Sequence, residues 1–142
     1  MKPVNLLEKL ASVHEPWQPE CITTVDDMSH SLKIAKFKGS FDWHSHPNTD
    51  ETFYCVSGGP VHIDLNTEAR TPEEAERNGA TQTVELNAGD IFCVRKNMQH
   101  RPRAEVEAGV LMFEKVGTSN VGDNVSSSKK VHVQESGQDE QA

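Results

Sequence analysis

His44-Ser45-His46-Pro47-Asn48-Thr49-Asp50-Glu51, answered about fifty residues later by His100, is the stretch on which the reading of this chain turns. Side chains alternate along an extended segment, so His44 and His46 face the same way. Glu51 follows five residues after His46, far enough for the chain to turn and aim a carboxylate at the same point. Three imidazoles and one carboxylate suit a single divalent transition metal such as Fe, Mn, Ni, Zn or Cu. Taken singly, a strand His is more often a surface or satisfied core side chain, and a Glu a solvated charge. The combination is what counts. Three of the seven His share this context, whereas His14, His30, His62 and His132 have no such company and are read as ordinary residues.

Around these positions the chain resembles the cupin superfamily. The first motif of that family runs Gly, a few residues, His-x-His, three or four residues, Glu, six residues, Gly. Gly39, His44, His46, Glu51 and Gly58 stand at those places, with the Gly39 to His44 gap one residue shorter than usual. In the second motif Gly89 and His100 fit, while Arg95 stands for a Pro, Asn97 for a Gly and Ala104 for an Asn. Asn is the next best residue after Gly where φ must be positive. The resemblance runs from about Leu32 to Asp123. It is nearest to the small single-domain cupins described as resembling mannose-6-phosphate isomerase, through Thr49 to Tyr54, Val94 to Pro102 and Gly117 to Asp123. It implies an all-β fold, a double-stranded β-helix or jelly-roll barrel, with His44, His46, Glu51 and His100 as metal ligands inside. Isomerases, decarboxylases, lyases and dioxygenases of the superfamily share that ligand set, so the resemblance does not select a reaction.

A chain of 142 residues has room for one domain with one core. Its net charge of −8 and pI near 5.3 argue against nucleic acid or an anionic membrane as the main partner. No run of about eighteen apolar residues offers a membrane span, and Met1 to Val13 lacks the apolar core of a signal peptide. Cys21, Cys55 and Cys93 read as reduced thiols of a cytoplasmic protein rather than a disulfide framework.

Leu6, Leu7, Leu10 and Val13 recur at helical spacing, which predicts a short amphipathic N-terminal helix within a lead-in of residues 1–20. The barrel is expected over 21–123. Its strands are Cys21–Val25, Leu32–Lys38, Phe41–His46, Thr52–Val56, Val61–Leu65, Thr83–Leu86, Ile91–Val94, His100–Arg103 and Ala108–Lys115, with a tight turn at Ser57-Gly58-Gly59-Pro60. Residues 66–82 form an insertion between the two motifs. Within it Thr71 suits an N-cap, Pro72 a first helical position, Glu74 a capping box and Gly79 a stop. That element is either a lid beside the barrel mouth or a solvated insertion. From residue 124 to 142 the composition turns polar and is expected to be mobile, with Val131-His132-Val133 as one candidate extra strand.

Arg95, Lys96, Arg101 and Arg103 crowd around His100 in an otherwise acidic chain. If His100 points inward, alternation turns Arg101 and Arg103 outward. Arg95, at a turn, stays a candidate for binding an anionic substrate. Trp43 and Tyr54 fall on the face opposite the nearest ligands and read as core or interface residues. Three His and one Glu leave one or two positions open on a five- or six-coordinate ion, as catalysis requires. The expected function is a metal-dependent enzyme acting on a small, oxygen-rich organic substrate, with Glu51 able to transfer a proton as well as ligate. The rival is a non-catalytic module that binds a small, sugar-like ligand, favoured by the shortage of acid–base residues beyond the ligands. A homodimer is expected in either case, because the N-terminal leucines and the open sheet edges need cover.

Overall fold

A computed structural model describes residues 2–136. Two short helices and seven strands follow in the order α1 (Leu6–Ser12), β1 (Glu20–Val25), β2 (His30–Ser40), β3 (Glu51–Gly58), β4 (Val61–Asn66), α2 (Pro72–Asn78), β5 (Gln82–Leu86), β6 (Ile91–Val94) and β7 (Gln99–Lys115). All pairings are antiparallel, in the order β1-β2-β7-β3-β6, with β4 held between β5 and β7.

The barrel is organised around β7. Its first half pairs with β4, from Gln99 opposite Asn66 to Arg103 opposite His62. Its second half lies between β2 and β3, with Val110 opposite both Ala35 and Cys55. The two strands expected at His100–Arg103 and Ala108–Lys115 are therefore one continuous element. Bulges at Phe37/Gly39 and Cys55/Ser57 let the partner strands bend with it. Gly58 has φ 68°, and a Cβ there would collide with the Glu107 carbonyl, so the β3–β4 turn requires glycine.

Alternation fills the interior. Phe37, Phe53, Cys55, Val61, Ile63, Leu86 and Val110 form its main cluster, and each large buried side chain contributes about 1.5–3 kcal/mol. A second cluster lies outside the sheet, where Leu10 of α1 packs on Ile22 and Ile34. The Asn5 side chain caps α1 by accepting the Glu8 N–H at 3.0 Å. Leu7 stays 60% exposed, so the helix buries a narrower stripe than its leucines allow.

The insertion folds as its capping residues demand. Thr71 Oγ1 accepts the Glu74 N–H at 3.1 Å, and the Gly79 N–H closes the helix on Ala75. Glu74 reaches back to the Arg70 N–H rather than to the N-cap residue itself. Ala69 and Ala75 pack on Trp43, on the outer side of the barrel.

Phe41–His46, expected as a strand, is irregular: a bridge joins His44 to His100, and the Phe41 N–H bonds the Pro102 carbonyl at 2.9 Å. From Asn124 to Ser136 the chain has no helix or strand, and Val131-His132-Val133 adds none. This segment is nevertheless tied down: Ser127 and Lys129 bond Asp42, Asn120 bonds the Lys129 carbonyl and the Val131 N–H, and Glu135 accepts the Gly117 N–H. The end of the polar tail, 137–142, lies outside the described residues. No helix among the described residues is long and apolar enough to cross a membrane.

Candidate metal centre

The four ligand candidates arrive from three parts of the fold. His44 and His46 stand on the irregular segment before β3, Glu51 opens β3, and His100 lies at the start of β7. The segment is held by its backbone instead of by a sheet. His44 and His100 exchange N–H···O=C bonds of 3.0 and 2.8 Å, and the Asn97 N–H bonds the His46 carbonyl at 2.9 Å. Asn97 has φ 68°, the left-handed turn that its place in the second motif predicted. Between the two His, the Ser45 N–H and hydroxyl both donate to Asp123, at 2.7 and 3.0 Å. Gln99 donates to the same carboxylate at 2.8 Å. Gly122 fits beneath this loop because a Cβ there would strike the Ser45 carbonyl.

His44, His46, Glu51 and His100 are all buried, and one ligand atom from each lies within 4.8 Å of every other. Donors bonded to one ion at about 2.0–2.2 Å are separated by no more than about 4.4 Å, so the set needs only a small contraction to close on a metal. The rings are already oriented. His44 Nδ1 lies 2.8 Å from the Asp42 carbonyl and His100 Nδ1 lies 2.9 Å from the Met98 carbonyl. A carbonyl only accepts, so Nδ1 carries the proton in both and Nε2 is the atom turned toward the centre. His46 Nε2 is 3.2 Å from Glu51 Oε1 yet has no hydrogen-bond partner, although it is buried. An unpaired buried nitrogen among convergent donors is what a ligand set without its ion looks like. The residues fit a divalent metal.

Electrostatics agree. Burial, and after it the neighbouring His100 and His46, push the His44 imidazole well below its usual value, toward the neutral form that ligates. Burial raises the Glu51 carboxyl, but the adjacent His46 and His100 rings outweigh it and hold it well below the usual carboxylate range.

Two charged residues with no motif to mark them in the sequence complete the interior. Thr52 pairs with Phe113, which sets Glu51 opposite Glu114 across β3 and β7. Lys33, on β2, bonds Glu114 at 3.0 Å and lies 3.7 Å from Glu135; all three are largely buried. Burial and then the charge of Glu51 push Glu114 well above its usual value, against the pull of Lys33. Glu114 Oε2 is buried and has no hydrogen-bond partner among the described residues. Alternation was the available signal: Lys33 is in phase with Ala35 and Phe37, and Glu114 with Met112.

A cavity of about 40 Å³ adjoins His44 and Glu51, several times the space of one buried water. Its walls include Trp17, Phe37, Phe41, Phe53 and Met112, with Lys33, Glu114 and Asn120 as its other polar residues. Nothing from 66–82 lines it.

Arg95 is not brought to this cavity. Its side chain is 74% exposed and pairs with Asp50 at 3.1 Å. Arg101 and Arg103 point outward, as alternation required, and bond Asp64 at 2.8 and 2.9 Å. Trp43 is buried on that outer side beneath the Arg101 guanidinium, and Tyr54 is half-buried. His30 stacks on Phe113 and His62 lies near Glu85, neither at the centre. The thiols are free, and burial pushes that of Cys55 up, away from a nucleophile's range.

Comparison with known proteins agrees with this arrangement. The family described as cupin domain matches residues 33–114. Uncharacterized protein YdbB of Bacillus subtilis (strain 168) is 31% identical over 110 residues, which cover 78% of this chain and 83% of that protein. A cupin-2 domain containing protein from Shewanella frigidimarina NCIMB 400 superposes with a TM-score of 0.65 at 26% identity, over 79% of this chain and 93% of that one. Hydroquinone 1,2-dioxygenase from Sphingomonas sp. TTNP3, solved with 4-hydroxybenzoate bound, gives 0.64 at 20% identity, over 80% and 74% of the two chains. At that identity the likeness is one of fold.

Proposed function

The chain belongs to the cupin family, and from that premise we propose that it is a metal-dependent enzyme acting on a small organic substrate that presents an oxygen to the ion. The observation that carries this reading is the buried quartet whose donor atoms converge within 4.8 Å beside a cavity. A bound Fe, Mn, Ni, Zn or Cu would supply Lewis-acid polarisation of that oxygen, with one or two positions left open for it. The chain's own residues do the rest. His44 and His100 are held in their ligating orientation by backbone carbonyls, and Asp123 fixes the loop between His44 and His46. Glu51 would ligate, and Glu114 stands opposite it on β7, where burial and the Glu51 charge favour its protonated form. Isomerase, lyase, decarboxylase and dioxygenase reactions all call for a substrate oxygen at the metal, and product analysis separates them.

Metal content of protein purified without added metal or a nickel column tests the reading. About one ion per chain is expected, lost in both His44→Ala and His100→Ala. No metal after reconstitution would overturn it. A non-catalytic binding module remains the second reading, supported by the mutual pairing of Lys33 and Glu114, which leaves few free acid–base groups in the cavity. Ligand affinity without turnover would select it.

A second copy of the chain is proposed on the outer face of β7, β3 and β6. There Tyr54 lies beside Leu111 and Ile91, with Ile91 64% and Phe113 38% exposed. Light scattering giving a monomer's mass would remove that proposal. The free thiols suit the reducing cytoplasm.

A further inference from the structure

We propose that the cavity selects a compact, flat, mainly apolar molecule carrying one acidic hydroxyl on an unsaturated carbon, a phenol or an enol, over a polyhydroxylated one such as a sugar. This rests on the metal-centre reading above and narrows its substrate.

The walls are aromatic. Trp17 lies 4.5 Å from Phe37 and 5.1 Å from Phe41, centroid to centroid, and Phe53 stands 6.3 Å from Phe37. Phe41 also meets the ring of His44 at 5.2 Å, so the aromatic surface runs up to the metal centre. Such faces favour a flat carbon body. The small void confines it to one ring or a short chain.

Most polar groups of the lining are already engaged, Glu114 Oε2 being the exception. Lys33 is shared by Glu114 and Glu135. The Asn120 amide spans the Lys129 carbonyl and the Val131 N–H, at 2.9 and 3.1 Å. The Trp17 indole N–H donates to the Lys38 carbonyl at 2.9 Å, and Glu114 faces Glu51. A sugar would bury several hydroxyls with no partner, at roughly 1–3 kcal/mol each. The ion's open position and the Glu114 Oε2 acceptor are the polar anchors left, too few for a polyhydroxylated molecule. A divalent ion with Glu51 as its single carboxylate keeps a net positive charge, which an oxyanion complements. A carboxylate would bring a second oxygen, and the lining's one cation, Lys33, is already shared by Glu114 and Glu135. A phenolate or enolate brings only one.

The chain has two Trp, so Trp43→Phe leaves Trp17, in the cavity wall, as the sole fluorescence reporter. Phenol, benzoate and glucose are titrated into Zn-loaded and metal-free protein, with metal content measured on the same samples. Calorimetry on the unmodified chain repeats the titrations should Trp43→Phe fold poorly. Phenol is expected to saturate at least tenfold more tightly than benzoate or glucose, and to weaken about tenfold in Phe41→Ala. Equal or tighter binding of glucose or benzoate overturns the proposal. So does the absence of a saturable phenol response in protein that holds its zinc. Failure to take up metal instead overturns the metal-centre reading. The ranking of phenol above glucose in metal-free protein then still supports the lining argument, and its reversal sinks it.

Discussion

The two faces of the β4–β7 ladder carry polar clusters of opposite character. Outside, Asp64 accepts from Arg101, Arg103 and Thr83 at 2.8–3.2 Å, and both its oxygens are occupied. Burial raises this carboxyl, but the bonds from Arg103, Arg101 and Thr83 outweigh it and lower it to about 2. Inside, His100 of the same strand joins His44, His46 and Glu51 around a common point, and His46 Nε2 has no partner. The outer cluster is complete in itself and supports the strands. The inner one is left with ligating capacity that only a further species can use. Unspent capacity in a buried place, more than charge density, separates a chemical site from a structural one.

The contrast can be broken at four points, in order of decreasing effect. Lys33→Met leaves Glu114 and Glu135 buried without their cation and is expected to cost about 3–5 kcal/mol in urea unfolding. A loss below about 1 kcal/mol would show that the interior charges are solvated like the outer ones. Glu114→Gln is expected to keep the fold but weaken zinc about 10- to 100-fold against a competing chelator, because Glu51 loses the group that orients it. Unchanged zinc affinity would detach Glu114 from the centre.

Asp64→Asn is expected to leave zinc affinity alone and to cost about 1–2 kcal/mol at neutral pH. Its ordinary pKa of 3.8 falls to about 2 on folding, so its contribution is complete above about pH 4 and vanishes as pH falls through about 2. Melting temperature should therefore drop over that window in the unmodified chain and less steeply in Asp64→Asn; parallel curves would contradict the assignment. Arg95→Glu, at an exposed pair, should change stability by less than about 1 kcal/mol and alter neither zinc nor phenol affinity. A tenfold loss of phenol affinity would return Arg95 to the site.

Much of this architecture is legible in the order of the residues. Capping chemistry places α2 to within a residue, because Thr71, Pro72 and Gly79 act through bonds to their own helix. Period-two alternation turns Arg101 and Arg103 outward correctly, since they share a strand with His100. Phe41–His46 fails as a strand: its β-rich composition is right, but a single bridge to His100 and side-chain anchors to Asp123 replace a ladder. Sequence leaves Arg95 at a turn, free to face either way, and the fold pairs it with Asp50. The polar composition after residue 124 hides contacts from Ser127, Lys129 and Glu135, because polar residues can dock through hydrogen bonds without burying a core.

The sequence by itself determined the four candidate ligands, the local helix signals and the inward phase of each strand, since these depend on neighbours a few residues away. Only the tertiary structure decided that Glu51 meets Glu114, that Lys33 joins them from a third strand, and that Trp17 and Phe41 wall the cavity. Cross-strand register sets those meetings, and register comes from the closure of the whole barrel around β7, which no local stretch encodes.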